Sequence, residues 1–312
     1  MAPLKSRSPL KKAPFFGKSG GSLFTGLGKK PVEAKREEGG GQASDSGAAA
    51  KNADDIDARL KEVKENLESI SAKAGVHSGD VARIPTGVPG LDELIPGGIP
   101  KGSVILVVGG PGSGKSIFSL QFLLNGALNY GEPGAYISME ESEESIRRTG
   151  EMFGWNVSEL EKKGLFHVVW RDPYEVKSFA KVMGGQLYYL IKDAGIKRIA
   201  FDSITYFTLT EENRFKLRKE IAELSTRLKA VGVTSLFISE VPQAEMRKGR
   251  YGMEEFVADG IILLNNFLVR DTHVRAVEVL KMRHTHHDTL LHPFAITKKG
   301  LEIYPHELVF KD

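Results

Sequence analysis

Gly109-Gly110-Pro111-Gly112-Ser113-Gly114-Lys115-Ser116 follows the spacing G-x-x-x-x-G-K-[ST], which suits phosphate chemistry. Glycines let the main chain close around an anion until its N–H groups reach the oxygens. Lys115 offers a point charge to the β- and γ-phosphates of a nucleotide, and the Ser116 hydroxyl suits Mg²⁺. A helix opening at Lys115 would add its positive dipole end. The plainer alternative is a Gly-rich turn that holds no ligand.

A metal at such a loop needs a carboxylate at the end of a neighbouring strand. Arg198-Ile199-Ala200-Phe201-Asp202 is an apolar run ending in an acid, so Asp202 is expected to share Mg²⁺ with Ser116. Hydrolysis also needs a group that orients and deprotonates water. Tyr136-Ile137-Ser138-Met139-Glu140-Glu141 puts two carboxylates at the end of another apolar run, with Glu140 as the expected base and Glu141 in support. Their alternative is structural, because acids also stabilise helix starts.

These groups need strands and helices to hold them. Val104–Val108 before the loop reads as a buried strand, and the mostly apolar stretch from Ile117 to Leu128 as a buried helix. From Val81 onward strands alternate with helices. Strands are expected at 103–108, 135–139, 165–170, 198–201, 234–239, 261–267 and 274–283. Helices are expected near 115–130, 143–153, 174–192 and 215–231. That alternation predicts an α/β fold with a mainly parallel central sheet covered on both faces, and antiparallel C-terminal hairpins at its edge.

Residues 1–52 read as a disordered basic, Gly-rich tail. Lys5, Arg7, Lys11, Lys12, Lys18, Lys29 and Lys30 have no acid among them, and apolar residues are too few to offset chain entropy. Over 53–80 an amphipathic helix and linker are expected, with Ile56, Leu60, Val63, Leu67 and Ile70 on one seam and Gly75 as its stop. Residues 81–307 form the expected catalytic domain. The net charge of +3 is too mild to argue for nucleic acid alone. No apolar run is long enough for a membrane span, and with no cysteine the chain is expected to be cytoplasmic.

Several further motifs occur in order. Arg83-Ile84-Pro85-Thr86-Gly87-Val88-Pro89-Gly90-Leu91-Asp92-Glu93-Leu94 is followed by Gly97-Gly98-Ile99-Pro100-Lys101-Gly102, the loop, the Glu140-Glu141 pair and Phe201-Asp202-Ser203. Tyr251-Gly252-Met253-Glu254-Glu255-Phe256-Val257-Ala258-Asp259, Leu280 to His287 and Pro293-Phe294-Ala295-Ile296-Thr297 complete the set. Over about residues 82–306 this resembles the KaiC-type ATPases of the RecA superfamily. The resemblance implies a RecA-like P-loop fold, ATP and Mg²⁺ as cofactors, and a homo-oligomer, commonly a hexameric ring, with nucleotide at subunit interfaces. It implies that Lys281 and Arg283 reach a neighbour's γ-phosphate, and that Thr285, His287 and Thr297 line nucleotide. On a strand Lys281 and Arg283 share a face, so both cations would point one way; solvated strand charge is the plainer alternative.

The expected function is a regulatory or signalling ATPase, with an unknown protein partner reached through residues 1–80. Some relatives phosphorylate a Ser or Thr near the position of Asp259, where Glu255-Phe256-Val257-Ala258 has no hydroxyl, so hydrolysis is favoured over autokinase activity. Two rivals share the fold. One is a DNA-acting recombination or repair ATPase using Arg247, Lys248 and Arg250, which is not favoured because no basic–aromatic interleaving is present. The other is an ATP-dependent motility scaffold with little turnover. His284, His286, His287 and His292 suit zinc or nickel by type, but the sequence names no further ligands to close a site.

Overall fold

Val104 to Val108 divide their side chains between two separate hydrophobic cores. Ile105 and Val107 pack with Phe118, Phe122 and Leu123, whereas Val104, Leu106 and Val108 pack with Leu217, Ile221, Leu224 and Leu228. Successive side chains on a strand face opposite ways, so a strand buried on both faces is apolar throughout. The computed structural model describes residues 81–172, 186–209, 213–241, 255 and 257–309.

The described chain begins with β1 (Arg83–Ile84), α1 (Leu91–Leu94) and β2 (Ile99–Pro100), of which β1 and β2 pair antiparallel as a small separate sheet. β3 (Val104–Gly109), α2 (Lys115–Tyr130), β4 (Gly134–Ser138), α3 (Glu143–Met152), α4 (Val157–Lys162) and β5 (Phe166–Trp170) follow. Next come α5 (Gln186–Asp193), β6 (Arg198–Asp202), α6 (Thr205–Leu209), α7 (Arg214–Ala230) and β7 (Thr234–Glu240). β8 (Gly260–Val269), β9 (Thr272–Met282), β10 (His292–Thr297) and β11 (Gly300–Ile303) complete the order.

The main sheet runs β11-β10-β9-β8-β3-β7-β6-β4-β5. From β8 to β5 every pairing is parallel, and β9, β10 and β11 are added antiparallel at one edge. Helix α2 covers one face; α5, α6 and α7 cover the other. This is the α/β architecture expected from the alternation of elements. Strand positions agree to within a few residues. α4 was not expected: its short turn of helix follows Asn156, which adopts a left-handed φ of 47°. Of the helix expected over 174–192, Gln186–Asp193 is described. The tail over 1–52, the helix and linker over 53–80, and Arg247, Lys248 and Arg250 lie outside the described residues. Among the described residues no helix is long and apolar enough to cross a membrane.

Arg198, at the start of β6, ties three layers together. Its side chain is fully buried. Nε donates to Glu132 at 2.7 Å, and Nη1 donates to the carbonyls of Pro85 and Phe122, each at 3.0 Å. The guanidinium carbon lies 4.7 Å from the Phe122 ring centroid. Gly126 leaves the space it fills: a Cβ there would fall 2.5 Å from Arg198 Cδ and 2.8 Å from Cζ. Replacing a helical glycine by alanine normally stabilises by about 1 kcal/mol. Here overpacking should outweigh that gain, since a guanidinium with fixed partners cannot yield. Gly126→Ala is expected to lose about 1–3 kcal/mol of stability in denaturant unfolding. A midpoint equal to or above the parent's would show that Arg198 has room to move.

Candidate nucleotide site

The loop sits where β3 gives way to α2, and Gly109, Gly112 and Gly114 occupy positions that disfavour any side chain. Gly112 and Gly114 have φ of 70° and 95°. A Cβ on Gly109 would come within 2.5 Å of the Leu264 carbonyl oxygen on the neighbouring strand β8. Gly114 caps α2, so the helix begins at Lys115. The Ser113 side chain is fully buried, and its hydroxyl has no partner among the described residues.

Sheet order brings the remaining groups to this loop. β7 lies between β3 and β6, and β4 lies beyond β6, so the ends of four parallel strands converge. Ser116 Oγ donates to Asp202 Oδ2 at 2.7 Å. The Tyr136 hydroxyl, on the fully buried β4, donates to the same carboxylate oxygen. Lys115 Nζ, itself buried, donates to the Gly110 carbonyl at 3.1 Å and lies 3.2 Å from Glu240 Oε1. The two adjacent glutamates differ. Glu141 is bound into the start of α3: its Oε2 accepts from Ser145 Oγ at 2.6 Å and its carbonyl from Ser138 Oγ at 2.6 Å. Glu140 is exposed and faces other acids.

Electrostatics follow from that crowding. Burial raises the Asp202 carboxyl above its usual range, against hydrogen bonds from Tyr136 and Ser116 and the charge of Lys115, which lower it. Partial burial raises Glu140, and the charges of Glu240, Asp202 and Glu141 raise it further. Burial, then the charge of Asp202, pushes the Tyr136 hydroxyl well above 10. Asp202, Glu140 and Glu240 thus share one ammonium, Lys115. Hard oxygen donors with excess negative charge beside a hydroxyl are a donor set suited to Mg²⁺, so the residues present fit that ion.

Tyr136 and Glu240 were not expected. An aromatic ring inside an apolar strand reads as core. Glu240 closes an apolar strand just as Asp202 does, so the same signal was available. Lys281, Arg283, Thr285 and His287 lie elsewhere, whereas Thr297 follows Ile296, whose Cδ1 lies 3.2 Å from where a Cβ on Gly114 would stand. Lys281 Nζ donates to the carbonyls of Ala258 and Glu255, at 2.7 and 3.4 Å. Arg283 follows the end of β9, with Nη1 3.5 Å from Asp259 Oδ1. Thr285 and His287 occupy the connection leading to β10, and His287 Nδ1 lies 3.0 Å from the Asp288 carbonyl oxygen. Thr297 closes the β10–β11 turn, its Oγ1 donating to the Gly300 carbonyl at 3.1 Å. No group of three or more His, Asp or Glu that could hold a metal ion occurs among the described residues.

A family model described as the KaiC ATPase matches residues 84–308. The chain belongs to the KaiC ATPase family. A UPF0273 protein of Thermotoga maritima is 39% identical over 244 residues, covering 73% of this chain and 98% of that protein. The circadian clock oscillator protein KaiC of Parasynechococcus marenigrum is 36% identical over 231 residues, 72% of this chain but 45% of that protein. Among solved structures, a KaiC-like protein of Pyrococcus horikoshii matches with a TM-score of 0.63 at 36% identity, covering 72% of this chain and all of that one. The relationship is therefore to a single KaiC module of the RecA superfamily, which is what the ordered motifs implied.

The Tyr136–Asp202 contact gives a pH-dependent prediction. Because the folded Asp202 pKa is raised, the folded protein holds a proton that the unfolded chain releases near 3.8, and stability falls as pH rises through that window. Tyr136→Phe removes a donor that lowers this pKa, so the window extends upward and the variant suffers most once Asp202 is ionised. The expected loss is about 1.5–3 kcal/mol at pH above the folded Asp202 pKa, where a charged acceptor loses its donor, and about 0.5–1.5 kcal/mol once Asp202 is protonated. Denaturant unfolding across pH measures both. A loss independent of pH would show that the hydroxyl serves packing alone.

Proposed function

We propose that this KaiC-family protein is a Mg²⁺-dependent ATP hydrolase whose sites are completed between subunits of a ring. The carrying observation is one of register. Gly260 pairs with both Ile105 and Met282, and the Arg283 amide donates to the Asp259 carbonyl, whose own amide donates to Val104. Lys281 and Arg283 therefore lie level with the start of β3, while the loop begins at its other end, about 15 Å away at 3.3 Å per residue. Two cations beside one another, with Lys281 depressed by burial and then by the charge of Arg283, suit a polyanion that would relieve both. A neighbour's phosphates meet that description.

In this reading residues 81–307 are the ATPase domain. The backbone of Gly109 to Ser116 encloses the phosphates, Lys115 offsets their charge, and Ser116 with Asp202 holds Mg²⁺. The ion supplies charge neutralisation on the β- and γ-phosphate oxygens. Glu140, supported by Glu141, takes a proton from water. The water oxygen bonds to the γ-phosphorus as the bond to the bridging oxygen of ADP breaks. Lys281 and Arg283 of the adjacent subunit stabilise the charge on the transferring group, and Thr285, His287 and Thr297 line the nucleotide. Residues 1–80 precede the family match and would carry the contact with a regulatory partner. Phosphate release with and without single-stranded DNA separates this reading from a DNA-acting ATPase, and steady turnover separates it from a scaffold.

Glu140→Gln should keep ATP binding and lower kcat by about 10²–10⁴. A base must be ionised, so activity rises with pH through its pKa, which here stands above the ordinary 4.5. The kcat/KM profile, which reports the free enzyme, should show an acid limb above that value. Glu240→Gln removes the largest raising charge and should move the limb to lower pH. A limb that stays in place assigns it to another group.

The shared site predicts complementation. Arg283→Ala should lower phosphate release about 10³–10⁵-fold, and Lys115→Ala should abolish it. Mixed rings should recover activity, because an Arg283→Ala subunit with an intact loop can use the cations of a Lys115→Ala neighbour. Native mass spectrometry verifies the mixing, and mixed rings without recovered turnover would refute the shared site.

A further inference from the structure

The turn carrying Arg283 is held by a residue some two hundred positions earlier. Arg83, in β1, donates from Nη1 to Thr285 Oγ1 at 3.0 Å and to the Gly98 carbonyl at 3.1 Å. Its Nη2 donates to the His284 carbonyl at 3.3 Å. A guanidinium reaches three acceptors from one planar fork, which a lysine ammonium on its flexible stem cannot reproduce. The stem has a fitted place too: a Cβ on Gly97 would lie 3.0 Å from Arg83 Cδ.

On its other flank the turn meets Asp259. The Arg283 amide donates to the Asp259 carbonyl at 2.9 Å. The Asp259 carboxylate is itself anchored, with Oδ2 accepting from the Val104 amide at 3.0 Å and lying 2.7 Å from Lys229 Nζ. Between these flanks His284 adopts a left-handed φ of 58°. A side-chain-bearing residue persists there only where its surroundings over-determine it. Arg83 supplies that constraint directly, through the carbonyl of His284 and the hydroxyl of the next residue.

We propose that Arg83 is a positioning residue for phosphoryl transfer in the adjacent subunit. By fixing the His284–Thr285 turn against β1 and Gly98, it holds Arg283 at the angle from which its guanidinium meets the neighbour's γ-phosphate. Arg83 touches no nucleotide itself. This inference rests on the shared-site reading above.

The test uses the full-length protein. Arg83→Ala should lower kcat about 10–100-fold, the usual effect of misplacing a catalytic group by about 1 Å. Its affinity for a fluorescent ATP analogue should change far less than kcat, because the loop lies at the other end of β3 and only the Thr285 side of the nucleotide is disturbed. Arg83→Lys should fall between, and carries the test if Arg83→Ala does not assemble. The double variant Arg83→Ala with Arg283→Ala should be no slower than Arg283→Ala alone, because a residue acting through Arg283 has nothing left to position. Mixed with Lys115→Ala subunits, Arg83→Ala should recover turnover as Arg283→Ala does. A parent-like kcat for Arg83→Ala, an additive double variant, or recovery by Arg283→Ala without recovery by Arg83→Ala would each overturn the inference while leaving the shared site intact. Failure of both mixtures would instead remove the shared site on which it rests.

Discussion

Parallel pairing on both sides of β3 is the constraint from which the nucleotide site follows. Pairing with β7 and β8 encloses β3 on both sides as far as Gly109, and both faces are sealed by apolar cores. Chemistry is thereby restricted to the edge where parallel strands end and their loops begin, the usual ligand position in open α/β sheets. Placing β7 between β3 and β6 then decides which side chains meet there. Glu240 comes from β7, Asp202 from β6 and Tyr136 from β4, while Lys115 and Ser116 open the helix after β3. These groups are distant in sequence and need no long-range loop to meet.

β9 turns the same register into a problem of distance. Running antiparallel to β8, it returns the chain to the opposite edge of the sheet, so its last residues stand beside the start of β3. A protein with its glycine-rich loop on one edge and two cations on the other would, with a triphosphate held at that loop as proposed, have complementary charge at opposite ends. Head-to-tail association joins such ends and, when the rotation closes, yields a ring. The proposed shared site is thus a consequence of strand direction before it is one of side-chain chemistry.

Local grammar made part of this legible in the sequence and withheld the rest. An apolar run, a Gly-rich octamer and an apolar helix are contiguous, so loop and helix were readable together. Asp202 was expected once the loop was placed, because a metal there needs a carboxylate closing a neighbouring strand. Tyr136 was hidden, since only the strand order reveals that its hydroxyl faces a carboxylate 66 residues away. The Arg83–Thr285 bond spans 202 residues and depends on how a two-stranded ribbon docks on a turn, which no periodicity encodes. Arg198 opens an apolar run in the sequence, yet it is enclosed by an aromatic ring, a glutamate and two carbonyls. Side chains whose partners come from distant elements escape a reading based on spacing.

The segment before Asp259 shows how backbone and side chain divide their tasks. Lys281 is held by the carbonyls of Glu255 and Ala258, and Asp259 fixes its place through Val104 and Lys229. Carbonyls are available whatever the side chain, so hydroxyl-free residues at 255, 257 and 258 cost the Lys281 contacts nothing. Asp259 is different, because its carboxylate meets a main-chain amide and two cations that no other acid among these contacts serves. A change at 259 therefore disturbs the start of β3, α7 and the Arg283 turn together. The geometry of the cationic edge is thus set by one carboxylate and a few carbonyls.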